Sequence, residues 1–358
     1  MSELVQLTVR QPALEGEFLL PEEFPLEAGG VLRGAKLRYV LYGAVNAAKD
    51  NVVLVAHALS GSAEVAVWWP AIWAMPGLID AERDAVLGIN ILGSCYGSTG
   101  PTSVDPATGA RYGVDFPLVG IEDTVRAQAL LLDWLGVESL KLVIGASIGG
   151  MQAIEWAVLF PARVKKAIAI GVAPLGAMGL GLNHLQRQMI ELDPEWNGGR
   201  YAADAHPRRG LALARGLAVC SYKSDALFQE RFERKPDRSG EDPRSGGRFD
   251  VAGYLDHQGE KFIERFDANT YLAITRIMDL FDPVRRYGSA AEAWGRIEAE
   301  VKLVGISSDW LFPPAEIVAM AEAMRAAGVR CEYRELVSDH GHDAFLAEPE
   351  LLTAVMKD

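Results

Sequence analysis

An α/β fold, with a mostly parallel sheet and helices on both of its faces, is predicted by three features of this sequence. Continuously apolar runs recur at Val52–Ala56, Val86–Leu92, Leu142–Ile144, Ala167–Val172 and Val301–Ile306, as expected of strands covered on both sides. Helical patterns alternate with them along much of the chain, which is the signature of βαβ units. One strand also turns directly into a helix through Gly145-Ala-Ser-Ile-Gly149, and a serine is carried on that turn.

In chain order, residues 1–30 are rich in Pro, Glu and Gly, with short apolar pieces at Leu4–Val9 and Phe18–Leu20 that read as edge strands or an arm. Val31–Tyr42 reads as a strand pair broken near Gly34. Val52–Ala56 ends in His57-Ala-Leu-Ser-Gly-Ser62, and Val86–Leu92 runs into the glycine-rich loop Gly93–Pro101. Glu122–Leu135 reads as a helix: acids occupy its first turn, Val125, Ala129, Leu132 and Leu135 keep helical spacing, and Gly136 follows its end. Met151–Phe160 is an apolar helix stopped by Pro161. Residues 175–296 lack strand-like runs and carry helical patterns at Leu185–Leu192, Gly210–Tyr222, Ala252–Phe266 and Asn269–Phe281. They read as a helical lid inserted into a core formed by 1–174 and 297–358, with Arg234–Arg248 as a polar, mobile surface loop. The strand at Val301–Ile306, the helix at Pro314–Ala327 and the strand at Cys331–Leu336 close the core.

Composition narrows the function classes. A formal charge of −13 with 49% hydrophobic residues argues against a general binder of nucleic acid or of an anionic membrane. It leaves room for an anionic substrate at a local basic mouth. Cys95, Cys220 and Cys331 are odd in number and widely spaced, which fits a reducing compartment. The N-terminal residues show no basic segment followed by an apolar one, and no apolar run has the length of a membrane span. The expectation is a cytoplasmic protein.

Strand, G-x-S-x-G and helix in succession form the nucleophile elbow of α/β-hydrolases. Ser147 must occupy a strained turn, and side chains at 145 or 149 would collide with the adjoining strand or helix. A serine nucleophile needs a base, and the base needs an acid to fix its tautomer. In this fold they follow in the order serine, acid, histidine, on loops after later strands. Asp309 follows Val301–Ile306 and His342 follows Cys331–Leu336. Order alone leaves His340 open as base, and Asp282 and Asp339 as acids. His57 precedes the nucleophile and reads as a residue that shapes its loop. His184, His206 and His257 lie in the insertion and read as surface or structural residues. The oxyanion donors are expected to be the backbone N–H groups of Ile148, at a helix start, and Leu59, each contributing about 3 kcal/mol to the transition state. Cys95 has no base placed for it and reads as a small buried thiol. No metal-ligand spacing is present.

The chain also resembles the homoserine O-acetyltransferases, α/β-hydrolase acyltransferases of methionine biosynthesis. The resemblance rests on His57-Ala-Leu-Ser-Gly-Ser62, Leu92–Pro101, Tyr112–Pro117, Gly145-Ala-Ser-Ile-Gly-Gly-Met-Gln152, Gly210–Arg215, Lys261–Tyr271, Gly305–Asp309 with Leu311–Pro314, and Gly341–Leu346. It implies Ser147 as nucleophile, Asp309 as acid and His342, within Gly-His-Asp-Ala-Phe, as base. It further implies substrate contacts from Arg215, Tyr222 and Asp343, which suits an amino-acid acceptor bearing a carboxylate and an ammonium. The expected reaction is a ping-pong transfer from acetyl-CoA to L-homoserine through an acyl-serine, with no permanently bound cofactor and with homodimerisation through the lid. Succinyl transfer to homoserine or serine, and ester hydrolysis, are the alternatives. Arg208, Arg209 and Lys223 are candidates to meet the CoA phosphates, although surface solvation is the ordinary role of such residues. The sequence departs from the family's pattern at Ile148, where Met is usual, at Ser94 within an otherwise Gly-Gly-Cys motif, and at Asp339-His340.

Overall fold

The computed structural model describes residues 10–357 apart from 76 and 203; the expected piece at Leu4–Val9 lies outside the described residues. The strands are β1 (Leu14–Leu19), β2 (Glu23–Pro25), β3 (Val31–Arg33), β4 (Lys36–Tyr42), β5 (Val52–Ala56), β6 (Ala85–Ile89), β7 (Leu142–Ala146), β8 (Lys166–Ile170), β9 (Glu300–Ile306) and β10 (Cys331–Leu336). Eight of them form one sheet in the order β1-β4-β6-β5-β7-β8-β9-β10, while β2 and β3 pair as a separate hairpin. From β6 to β10 every pairing is parallel. The β1–β4 and β4–β6 pairings are antiparallel, so the expected edge strands form one antiparallel flank.

Alternation along each strand divides the core between the sheet's two faces. Val52, Leu54 and Val143 enter one apolar cluster, and Val53, Val55, Leu142 and Ile144 enter the other. Every residue of β5, β6 and β7 is buried, which is why these strands read as unbroken apolar runs. β6 stops at Ile89, earlier than the apolar run suggests. Asn90 then donates its N–H to Arg38 O, and Ile91 turns its own N–H to His57.

Between β8 and β9 the described residues form helices and turns: Ala177–Glu191, Arg208–Tyr222, Asp225–Phe232, Asp250–Ile263, Ala268–Asp279 and Ala290–Trp294. The first of these begins eight residues before the apolar pattern at Leu185, because Gly179 and Gly181 disguise its opening turns. A Cβ at Gly179 would stand 2.6 Å from Leu175 Cδ2, so that leucine side chain would have to shift to accommodate one. Asp225–Phe232 has no counterpart in the apolar pattern; Ser224 caps it by accepting from Leu227 N at 3.1 Å. Segment 234–249 contains one 3₁₀ turn and is closed by a bridge between Pro236 and Phe249. No helix among the described residues is long and apolar enough to cross a membrane.

Candidate active site

β7 delivers Ser147 at the centre of the sheet's carboxyl edge. Ser147 has φ 57° and ψ −129°, a conformation disfavoured for a residue with a Cβ. The surrounding contacts hold it there. Ser147 N donates to Ile170 O at 2.9 Å and Met151 N to Ser147 O at 3.0 Å. A Cβ on Gly145 would lie 2.3 Å from Gly149 C, and one on Gly149 would lie 2.2 Å from Ala56 O. The two glycines are therefore fixed by close packing between strand and helix, and the helix Ile148–Leu159 starts immediately after the serine.

Asp309 and His342 meet at the ends of β9 and β10. His342 Nδ1 lies 2.6 Å from Asp309 Oδ2, and Asp309 Oδ1 accepts from Leu311 N and Phe312 N at 3.0 Å each. Both residues are buried. Burial disfavours the charged imidazole, but the Asp309 charge and hydrogen bond, with Asp343 further out, outweigh it and raise the His342 pKa above its ordinary value. His342 Nε2 is buried with no hydrogen-bond partner among the described residues. The rings of Phe312, Tyr222 and Phe345 surround the imidazole at 5.2, 5.8 and 6.2 Å.

The neighbouring strand β8, whose Ile170 O accepts from Ser147 N, also abuts this pair. Gly171, directly after Ile170, has φ +55°, and a Cβ there would stand 3.2 Å from His342 Nδ1 and 3.3 Å from Asp309 Oδ2. The other candidates for acid and base are engaged elsewhere. His340 Nδ1 pairs with Glu348 at 2.9 Å, Asp282 accepts from Val284 N at 3.1 Å in its own turn, and Asp339 is exposed.

Leu59 follows β5 in a turn closed by Gly61 N donating to Ala58 O at 2.8 Å. Neither Leu59 N nor Ile148 N donates a hydrogen bond among the described residues. His57 shapes this loop. Its Nδ1 lies 2.8 Å from Ala58 O and its Nε2 3.1 Å from Ile91 N, which assigns the proton to Nδ1. Burial pushes its pKa down to about 4, so the ring is neutral and serves as a cross-tie. Burial likewise pushes the Cys95 thiol up to about 11, which leaves little thiolate for nucleophilic attack.

The three expected substrate contacts gather around Tyr222. The Arg215 guanidinium lies 5.6 Å from the Tyr222 ring and 5.0 Å from Phe262, and it has no carboxylate partner among the described residues. Tyr222 in turn touches His342, and burial raises the pKa of its hydroxyl. Asp343 pairs with Lys223 Nζ at 2.9 Å. Lys223 is thus engaged with Asp343, and Arg208 is engaged with Glu264, whereas Arg209 is exposed.

Two features escaped the sequence reading. Arg265, just beyond the end of the helix Asp250–Ile263, donates through Nη1 to Ser60 O at 3.1 Å and to Tyr96 Oη at 2.9 Å, and so ties that helix end to the loop that carries Leu59. The only sequence signal was its place within Lys261–Tyr271. A buried chain also runs from Trp156 Nε1 to Gln128 Oε1 at 2.7 Å, and from Gln128 Nε2 to Gln152 Oε1 at 2.8 Å. It links the elbow helix to the helix Ile121–Trp134. Among the described residues no cluster of His, Cys, Asp and Glu could hold a metal ion.

Comparison with known proteins agrees with this arrangement. A family model described as the alpha/beta hydrolase fold matches residues 51–349. The homoserine O-acetyltransferase of Chlorobium chlorochromatii (strain CaD3) is 42% identical over 338 residues, covering 94% of this chain and 92% of that protein. The corresponding enzyme of Nostoc punctiforme is 43% identical over 346 residues, covering 95% and 94%. Among solved structures, homoserine O-acetyltransferase from Bacillus anthracis superposes with a TM-score of 0.88 at 26% identity, covering 96% of each chain. Esterase E22 superposes with a TM-score of 0.86 at 26% identity, covering 95% of this chain and 98% of that one. With a sheet, an elbow and near full-length identity all in agreement, the chain belongs to the homoserine O-acetyltransferase family of the α/β-hydrolase fold.

Proposed function

We propose that this protein transfers an acetyl group from acetyl-CoA to the side-chain hydroxyl of L-homoserine by a ping-pong mechanism. Ser147 Oγ attacks the thioester carbonyl carbon while His342 Nε2 accepts its proton, and the N–H groups of Leu59 and Ile148 stabilise the oxyanion. The tetrahedral intermediate collapses, the C–S bond breaks, and His342 returns the proton to the departing sulfur. Acetyl-Ser147 and free CoA result. The homoserine hydroxyl then gives its proton to His342 and attacks the acetyl carbonyl, and Ser147 leaves with the proton. Asp309 holds the imidazole in the required tautomer throughout. Acetyl-CoA is a substrate, and the steps need no permanently bound cofactor.

The observation that carries this reading is the placement of opposite charges beside the base: Arg215 against Tyr222, and Asp343 next to His342 in sequence. A carboxylate and an ammonium on one small acceptor fit that pattern, with Arg215 taking the carboxylate, Asp343 the ammonium and Tyr222 the space between. In this reading residues 175–296 form a lid over a core of 1–174 and 297–358, and restrict water that would hydrolyse the acyl-enzyme. A cytoplasmic homodimer joined through the lid completes it.

The similarity to esterase E22 favours one second reading, in which water is the acceptor. Thiol release should be followed from acetyl-CoA and from succinyl-CoA, each with homoserine, serine or no acceptor. Homoserine-dependent turnover of acetyl-CoA is the expected result. Turnover independent of homoserine would establish the esterase reading, and a preference for succinyl-CoA would reassign the donor.

A further inference from the structure

Lys223 carries an ammonium group, and it already occupies the carboxylate that the proposed reaction gives to the acceptor's ammonium. Its Nζ lies 2.9 Å from Asp343 Oδ2, and the two side chains are 17% and 30% exposed, so solvent screens the pair only in part. The pair stands within reach of the reacting groups. The charges of Arg215 and Asp343 both act on the Tyr222 hydroxyl, Asp343 also acts on His342, and the Tyr222 ring lies 5.8 Å from the imidazole. With Lys223 seated on Asp343, Arg215 is the one of these three charges left without an ion pair among the described residues.

The backbone of Lys223 is held in place, while its side chain has a second position open to it. Lys223 O accepts from Trp310 Nε1 at 3.1 Å, and Ser224 Oγ donates to Asp339 O. Gly341 has φ +65°, and a Cβ there would stand 2.6 Å from Tyr222 O and 2.9 Å from Lys223 Cα. Residues 222–224 are therefore fixed against the loop that carries His342 and Asp343. Lys223 also lines an open cavity of about 540 Å³, together with Cys220, Asp225, Phe228, Ser308 and Trp310. Asp225 is exposed and has no cation partner among the described residues. A second carboxylate thus lies in the same cavity, two residues along the chain from Lys223.

We infer that Lys223 sets acceptor specificity as an internal ammonium: it holds Asp343 in the free site, and the acceptor's own ammonium displaces it towards Asp225. The inference rests on the proposed transfer to homoserine. An acceptor with an ammonium must break the Lys223–Asp343 pair as it binds. A hydroxy acid without one leaves that pair in place and still meets Arg215 through its carboxylate. Specificity is the difference between those two affinities, so Lys223 narrows the preference for the amino acid over the corresponding hydroxy acid and opens the site to both.

The test compares L-homoserine with 4-hydroxybutanoate, which has the same carbon chain and no ammonium, as acceptors of the acetyl group from acetyl-CoA. In a ping-pong reaction kcat/KM for the acceptor reports the second half-reaction, so the ratio of the two values does not depend on the donor. The unaltered protein should acetylate both. Lys223→Met keeps the length of the side chain and removes its charge, and should raise the homoserine-to-hydroxybutanoate ratio about fivefold, mainly through KM for homoserine. Lys223→Arg keeps the charge and should keep the ratio, whereas Asp225→Asn should lower it, because the displaced ammonium loses its second partner. A ratio unchanged or lowered in Lys223→Met, as a merely structural lysine would give, overturns the inference while acetyl transfer to homoserine stands. An absence of hydroxybutanoate acetylation by the unaltered protein overturns it too. Failure of the unaltered protein to acetylate homoserine at all would overturn the acyl-transfer reading and this inference with it.

Discussion

His342 Nδ1 stands 2.6 Å from Asp309 Oδ2, across 33 residues of sequence, while the other carboxyl oxygen of Asp309 accepts two backbone N–H groups of its own loop. The acid is thereby held with one oxygen aimed at the imidazole. Asp309→Asn keeps the size of the side chain but offers an amide N–H, which favours the wrong imidazole tautomer. The expected outcome is a fall in kcat of about four orders of magnitude with an unchanged far-UV spectrum. Retention of more than a tenth of the activity would remove Asp309 from the mechanism.

The same pair sets the pH response. His342 must be neutral to accept a proton, and its pKa is raised above 6.5. The acid limb of the thiol-release burst, measured with acetyl-CoA and no acceptor, should therefore have its midpoint above 6.5. Asp343→Asn removes one of the charges that raise this pKa and should move the midpoint down. For stability, a raised histidine pKa means that the imidazolium–Asp309 pair contributes fully below 6.5 and ceases to contribute as pH rises through the folded value. A limb that does not move in Asp343→Asn would show that the two groups are not coupled.

Ser147 sits at φ 57°, where glycine is at ease. Ser147→Gly should abolish acyl transfer yet raise the unfolding free energy by about 1 kcal/mol, the relief of strain exceeding the added chain entropy. Denaturant unfolding of the two proteins side by side checks this. A less stable variant would show that the elbow is not strained.

Glu155 lies buried in the elbow helix. Burial, with the charges of Glu122, Glu27 and Asp282 added to it and Arg286 opposing, raises its pKa to about 8. The folded chain then holds a neutral carboxyl at pH 7 while the unfolded chain ionises above about 4.5, so stability falls as pH rises from 4.5 through 8. Glu155→Gln should raise the unfolding free energy by roughly 2–4 kcal/mol at pH 8 and leave it nearly unchanged at pH 4. Thermal melts at the two pH values distinguish this from a gain that is independent of pH.

The sequence by itself determined which segments form the sheet's central strands and the identity of the elbow, because both depend on local pattern; the order in which those strands pair came from the structure. β5, β6 and β7 are buried on both faces and so read as apolar runs, and Gly145 and Gly149 stand where a Cβ would strike backbone. The candidate nucleophile was legible for the same reason. Asp309 and His342 could be placed after their strands, but pattern alone could not separate His342 from His340. Only the tertiary structure turns one ring towards Asp309 and the other towards Glu348. Helix boundaries between β8 and β9 were less legible, since Gly179 and Gly181 within the helix Ala177–Glu191 look locally like breakers. Contacts made by long charged side chains across the chain left no local trace. The pairing of Lys223 with Asp343 and the reach of Arg265 to Ser60 depend on how the helices between β8 and β9 lie against the sheet. That packing also sets what surrounds the elbow: Ser147 and the Leu59 loop are placed by backbone pattern, whereas the charges around them are placed by the fold as a whole.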